Sequence, residues 1–356
     1  MRIRLLLGIA VMLMLSALVA QATAATTAPN DPYFSLQWGI QQINADEAWT
    51  TSTGRGQVIA VVDSGVDLDH PDLKRKLVRG ATFTGCADAP KGCGNGDWES
   101  GNTTEAPSPH GTHVAGIAAA ATGNGVGIAG VARDAKIMPV KVLTDEGGSF
   151  EEVAAGIRWA ADNGADVINL SLGALPGVQA LVLVGEVDDA KQAINYAVSK
   201  GVVVVAAAGN DFASPLCGEP GFNGNALCVV ATDGSEARAS YSNFAVNQDL
   251  NVVAAPGGAA FLSCEEDIVS TVPAGAEGFC GEDTPGYDFY AGTSMATPHV
   301  AGVAALLTAQ GRDVFEVYSV LKQTARTPGV ALRGTYTPVY GFGIVDSVAA
   351  LAAPPA

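Results

Sequence analysis

From Gln57 onward the chain alternates short unbroken apolar runs with amphipathic stretches of helical spacing. Gln57–Asp63, Ile137–Val142, Val167–Ser171, Val202–Ala207 and Leu227–Ala231 are short and rich in Val, Ile and Ala, which predicts buried strands. Val114–Ala121, Phe150–Asn163 and Asp188–Lys200 lie between them and predict helices. Strands that are apolar on both faces must be covered on both faces. The pattern therefore predicts an α/β fold with a doubly wound, mainly parallel sheet and helices on either side. In such a sheet the ligand crevice lies beyond the carboxyl ends of the strands. No repeat, low-complexity linker or change of composition divides this part of the chain, and one domain over residues 25–356 is predicted.

Residues 1–24 follow a different rule. Arg2 and Arg4 precede a run of 16 largely apolar residues, Leu5–Ala20, and two small-x-small triplets follow, Ala20-Gln21-Ala22 and Ala22-Thr23-Ala24. This is the layout of a signal peptide cleaved after Ala22 or Ala24. The rival reading, an uncleaved anchor, asks for a slightly longer run. Export to an extracellular or periplasmic space is expected, and no later segment resembles a membrane span.

The formal charge is -17; without Arg2 and Arg4, 17 basic residues stand against 36 acidic ones, giving -19. Such a surface repels nucleic acid and anionic membranes, so neither is an expected partner of the mature chain. A monomer is expected.

Six cysteines fall into three close pairs, Cys86 with Cys93, Cys217 with Cys228 and Cys264 with Cys280. Export makes disulfides chemically reasonable, although sequence alone does not choose among the pairings. A zinc site is the alternative, but the CxxC pairs and Cys/His spacings of such sites are missing from the sequence. The three pairs lie in the irregular stretches 84–109, 211–226 and 256–288, and long loops on a compact α/β body commonly build or shield a binding site.

Three longer motifs carry chemistry. Asp63 closes the first predicted strand in Val-Val-Asp-Ser-Gly-Val-Asp, His110 opens His-Gly-Thr-His-Val-Ala-Gly, and Ser294 lies in Gly-Thr-Ser-Met-Ala-Thr-Pro-His-Val-Ala-Gly. A serine hydroxyl is a weak nucleophile without a base, and the base needs a carboxylate to fix its tautomer. Each residue alone has a blander reading, as a turn Asp, a structural His or an N-cap Ser. Together, in this order, the motifs resemble those of the subtilisin family of serine proteases. The resemblance runs from about Pro29 to the final helix.

The resemblance implies a seven-stranded, mainly parallel sheet and a protease acting on protein and peptide substrates with broad specificity. It implies Ser294 as nucleophile, His110 as general base and then acid, and Asp63 as the carboxylate that orients it. His70, His113 and His299 become structural. Asn210, in Ala-Ala-Ala-Gly-Asn, matches the oxyanion-binding amide of the family. Ser171-Leu172-Gly173 and Ala206-Ala207-Ala208-Gly209 match the segments lining its primary specificity pocket. Their small side chains leave room for a bulky residue, so a preference for large apolar or aromatic side chains is expected.

A structural Ca²⁺ is also implied. Asn30-Asp31-Pro32-Tyr33-Phe34 resembles an amino-terminal arm of the family, and Ala121–Ile128 its calcium loop. The implied ligands are the carboxylates of Asp31 and Asp72, the Asn124 side chain and the carbonyls of Ala121, Val126 and Ile128, hard oxygens suited to that ion. Two alternatives to a broad protease stay open at this point: a catalytically silent binding module on the same fold, and a processing protease of narrow specificity.

Overall fold

The computed structural model describes residues 28–84, 108–144, 147–173, 188–212, 214–260 and 263–355. The predicted signal peptide and the pair Cys86/Cys93 lie outside these residues.

Seven strands form one sheet: β1 (Val58–Asp63), β2 (Ala81–Thr82), β3 (Lys136–Lys141), β4 (Val167–Leu170), β5 (Val203–Ala207), β6 (Leu227–Thr232) and β7 (Asn251–Pro256). Their order is β2-β3-β1-β4-β5-β6-β7, and every neighbouring pair is parallel. The seven-stranded doubly wound α/β fold implied by the sequence is therefore present. Apart from the end residues Val58, Thr82, Lys136, Lys141 and Asn251, the strand residues are buried. This is why the strands read as unbroken apolar runs, with no alternation.

The helices cover both faces. α3 (His110–Ala119) and α6 (Thr293–Thr308) pack together on one side, and α4 (Phe150–Asp162) with α5 (Asp188–Ser199) on the other. α3 and α6 are buried almost all round, so their sequences lack an amphipathic stripe. α4 is amphipathic and begins with a reciprocal cap, in which Ser149 Oγ accepts from Glu152 N–H while the Glu152 carboxylate accepts from Ser149 N–H. Two short helices near the amino terminus, α1 (Trp38–Gln42) and α2 (Ala45–Ala48), and two near the carboxyl end, α7 (Val314–Thr324) and α8 (Ser347–Ala352), complete the shell.

The five predicted strands and three predicted helices are all found, with ends shifted by a few residues. The apolar pattern did not single out β2, β7, or the antiparallel pair β8 (Ile268–Thr271) and β9 (Tyr287–Tyr290). β2 is two residues long, and β8 and β9 lie within or beside a stretch whose Gly and Pro content reads as loop. Within the described residues Cys217–Cys228 and Cys264–Cys280 are disulfide-bonded, as the nearest-neighbour pairing expects. No helix among the described residues is long and apolar enough to cross a membrane.

Candidate active site

The chain leaves β1 for one side of the sheet and later enters β4 on the other, so the strand order reverses beside β1. Asp63 is the last residue of β1, Ser171 follows β4, and Asn210 follows β5 by three residues. All three thus stand at the crevice that the topology opens.

Asp63 is fully buried and its Oδ1 accepts from Ser64 N–H at 2.7 Å and from His110 Nδ1 at 2.8 Å. A carboxylate only accepts, so the His110 proton sits on Nδ1 and Nε2 is left as a proton acceptor. Burial disfavours the charged imidazole, but the charge and hydrogen bond of Asp63 outweigh it and hold the His110 pKa above its ordinary value. His110 is the first residue of α3, seated by Gly111, whose N–H donates to Ser64 Oγ at 3.1 Å. A side chain at Gly111 would collide with the Gly65 carbonyl, so only glycine lets α3 start this close to Asp63.

Ser294 is the second residue of α6, and its Oγ donates to the Ser171 carbonyl at 3.2 Å. His110 and Ser294 line the same crevice, and the hydroxyl is bonded to the Ser171 carbonyl rather than to the imidazole. Pro298 has no N–H for the Ser294 carbonyl, four residues back in the helix. The Ser171 hydroxyl donates to that carbonyl at 2.7 Å, and Asn169 Nδ2 donates to Ser171 Oγ at 2.9 Å.

Asn210 Oδ1 accepts from Thr293 N–H at 2.9 Å and from the Thr293 hydroxyl at 3.0 Å, which fixes the orientation of the amide. An atom at the Cβ position of Gly292 would lie 3.5 Å from Asn210 Nδ2 and 3.6 Å from Ser294 N, so both donors flank one place. Behind them Asn243 is fully buried and donates to the Ala208 carbonyl at 2.8 Å while accepting from Asp211 N–H at 2.9 Å. Gly209, at φ 99°, makes the turn between these anchors in a conformation that favours glycine. Asn243 escapes sequence reasoning because its partners lie more than 30 residues away, and Asn169 because its neighbour Ser171 meets the Ser294 carbonyl only in the fold.

The crevice has a volume of about 670 Å³. Ser171, Leu172 and Gly173 form one wall, and Glu219 with Pro220 another. Ala206, Ala207 and Ala208 are buried behind the second wall: Gly218 N–H donates to the Ala208 carbonyl at 2.7 Å, and Gly221 packs against the Ala207 carbonyl. Glu219 is 4% exposed and carries no motif that marks it in the sequence.

The remaining histidines are held neutral or packed. Burial lowers the pKa of His113 to about 3 and that of His299 to about 4. His113 stacks on Tyr290 with ring centroids 4.4 Å apart, and His70 Nε2 lies 2.9 Å from the Gly286 carbonyl.

A second polar centre lies where the amino-terminal arm meets residues 121–128. Asp31 and Asp72 are both buried and converge on Asn124, whose N–H donates to Asp31 Oδ1 at 3.0 Å and whose Nδ2 donates to Asp72 Oδ1 at 2.7 Å. Asp72 Oδ2 also accepts from Ile128 N–H and from the Tyr287 hydroxyl. Among the described residues no N–H or O–H donates to the carbonyls of Ala121, Val126 or Ile128. Two buried carboxylates without a basic side chain bonded to them, an amide and three free carbonyls form an oxygen-rich donor set that fits Ca²⁺.

A serine beside an imidazole, a buried carboxylate behind that imidazole and two donors beside the serine define a serine-hydrolase arrangement. The chain belongs to the subtilase family, whose peptidase model matches residues 54–343. It is 43% identical over 310 residues to thermitase of Thermoactinomyces vulgaris, covering 86% of this chain and 94% of that protein. It is 38% identical to an extracellular protease of Xanthomonas campestris, over 94% of this chain and 58% of that protein. Among solved structures, a protease of Pseudoalteromonas arctica superposes with a TM-score of 0.74 at 34% identity, over 92% of this chain and 99% of that one. The protein is a subtilisin-type serine endopeptidase.

Proposed function

We propose that Asp63, His110 and Ser294 hydrolyse peptide bonds through an acyl-enzyme, with Asn210 and the Ser294 N–H binding the oxyanion. The observation that carries this reading is the 2.8 Å bond from His110 Nδ1 to the buried Asp63, which leaves Nε2 as the acceptor in the crevice that Ser294 also lines. A peptide enters the crevice in extended form. Ser294 Oγ attacks the scissile carbonyl carbon as its proton passes to His110 Nε2, and the carbonyl oxygen becomes an oxyanion facing the two donors. Collapse breaks the C–N bond, and the imidazolium returns its proton to the leaving amine. Water then attacks the ester by the same route, releasing the acid and restoring the Ser294 hydroxyl.

Export, with residues 1–24 removed and residues 25–356 forming the peptidase domain, is part of the same reading. Its support is the basic-apolar-small order of the leader and the two disulfides. Calcium at Asp31, Asp72, Asn124 and the carbonyls of Ala121, Val126 and Ile128 would tie the arm to the loop and neutralise two buried carboxylates. It lies away from the reacting groups and supplies no step.

The test is casein hydrolysis by the mature protein, with covalent labelling by a serine-directed sulfonyl fluoride. Wild type should cleave and label. Ser294→Ala should label not at all and lose about 10⁶-fold in kcat, the loss seen when a subtilisin nucleophile is removed. Cleavage that survives Ser294→Ala would sink the assignment, and a folded, silent wild type would favour a binding module.

A further inference from the structure

We infer that Glu219 is a specificity residue of the crevice, selecting peptides with a lysine or arginine side chain immediately before the scissile bond. The assignment rests on the peptidase reading above and adds the substrate class. Glu219 and Pro220 stand across the crevice from Leu172 and Gly173, and the Glu219 carbonyl is 3.6 Å from where a Cβ on Gly173 would sit. Ser171 and Gly173, with the apolar Leu172 and Pro220 in the same lining, suit an aliphatic stem with a cationic tip.

The carboxylate is placed at a disadvantage that a substrate can remove. Glu219 is 4% exposed, yet its carboxylate has no hydrogen bond or ion pair among the described residues. Burial therefore raises its pKa, against the attraction of Lys191 on α5, which is exposed and forms no ion pair with it. A charge taken from water is stable only when paired, and an incoming ammonium or guanidinium supplies the pair. Asp63 and His110, the other ionisable groups lining the crevice among the described residues, act on all substrates alike. The large apolar preference expected from Ser171–Gly173 and Ala206–Gly209 considers only the small residues, and Glu219 changes the sign of the pocket.

The experiment compares kcat/KM for one peptide anilide series differing only in Lys, Arg, Phe or Leu before the anilide, in wild type and Glu219→Gln. The Lys/Phe and Arg/Phe ratios should fall about 10- to 100-fold in the variant, the range for removing one member of a buried charge pair. Within wild type the same ratios should fall as acid protonates Glu219, whereas the variant's ratios stay flat with pH. The wild-type half of this measurement holds even if the variant does not fold. Unchanged ratios, together with a pH-independent preference in wild type, would overturn the inference while leaving the peptidase reading intact. Failure of Ser294 to label with the sulfonyl fluoride would overturn both.

Discussion

At the carboxyl end of the sheet, Asp63, His110, Ser294 and Asn210 stand at the ends of buried strands and helices whose packing is apolar. At the corner formed by Asp31, Asp72 and residues 121–128, two buried carboxylates meet at a loop with three free carbonyls. The first site is positioned by the core and needs no ion to hold its shape. The second gathers oxygens around two buried carboxylates that accept from Gly123, Asn124, Ile128 and Tyr287, and under the proposed reading a cation offsets their repulsion. Catalysis and stability should therefore be separable: changes at the first alter turnover, and changes at the second alter melting.

The sharpest break is Asp63→Asn, expected to lower kcat about 10⁴-fold through loss of the productive tautomer. Because the Asp63 carboxylate raises the His110 pKa, and the base works only when neutral, kcat/KM in wild type falls as pH drops through that raised pKa. In Asp63→Asn the acid limb of the residual activity should move to lower pH, and a limb that stays in place would detach Asp63 from His110. Next in size is Asn210→Ala, expected to lose about 10²- to 10³-fold in kcat with KM little changed. That magnitude is borrowed from the matching donor of a subtilisin, within the same family; a change confined to KM would contradict oxyanion binding. Smallest is chelation, measured by calorimetry on Ser294→Ala so that self-digestion does not intervene. At a hundredfold excess over its Kd, calcium should contribute about 2.7 kcal/mol, lost with chelator. Asp31→Asn should melt at a temperature that no longer responds to calcium. A melting temperature indifferent to chelator in the parent would remove the ion from the second site.

The proposed triad could be picked out because each member sits inside a long motif at an element end, where a few local residues already imply the turn. The buried strands were legible for a related reason: β1, β3, β4, β5 and β6 are apolar over most of their length, and burial on two faces demands that composition. β8 and β9 were not, since their pairing is set between residues about 20 apart around a glycine-rich stretch. Asn243 and Glu219 were silent for one physical cause, and Asn169 because its neighbour Ser171 reaches the Ser294 carbonyl only in the fold. An asparagine or glutamate in a chain announces a hydrogen-bonding group, but its partner, or the lack of one, exists only once distant segments meet.

The ring of Pro298 has a mechanical meaning. Close packing of apolar side chains sets how the layers sit against each other, and a directional hydrogen bond adds a fixed distance at one point. The acceptor left open on the Ser294 carbonyl is filled by Ser171, just beyond β4, which keys the helix to the strand end at the residue proposed to carry the reacting oxygen. For a reaction in which a misplacement of about 1 Å costs roughly a hundredfold in rate, that joint is a calibration point built into the fold.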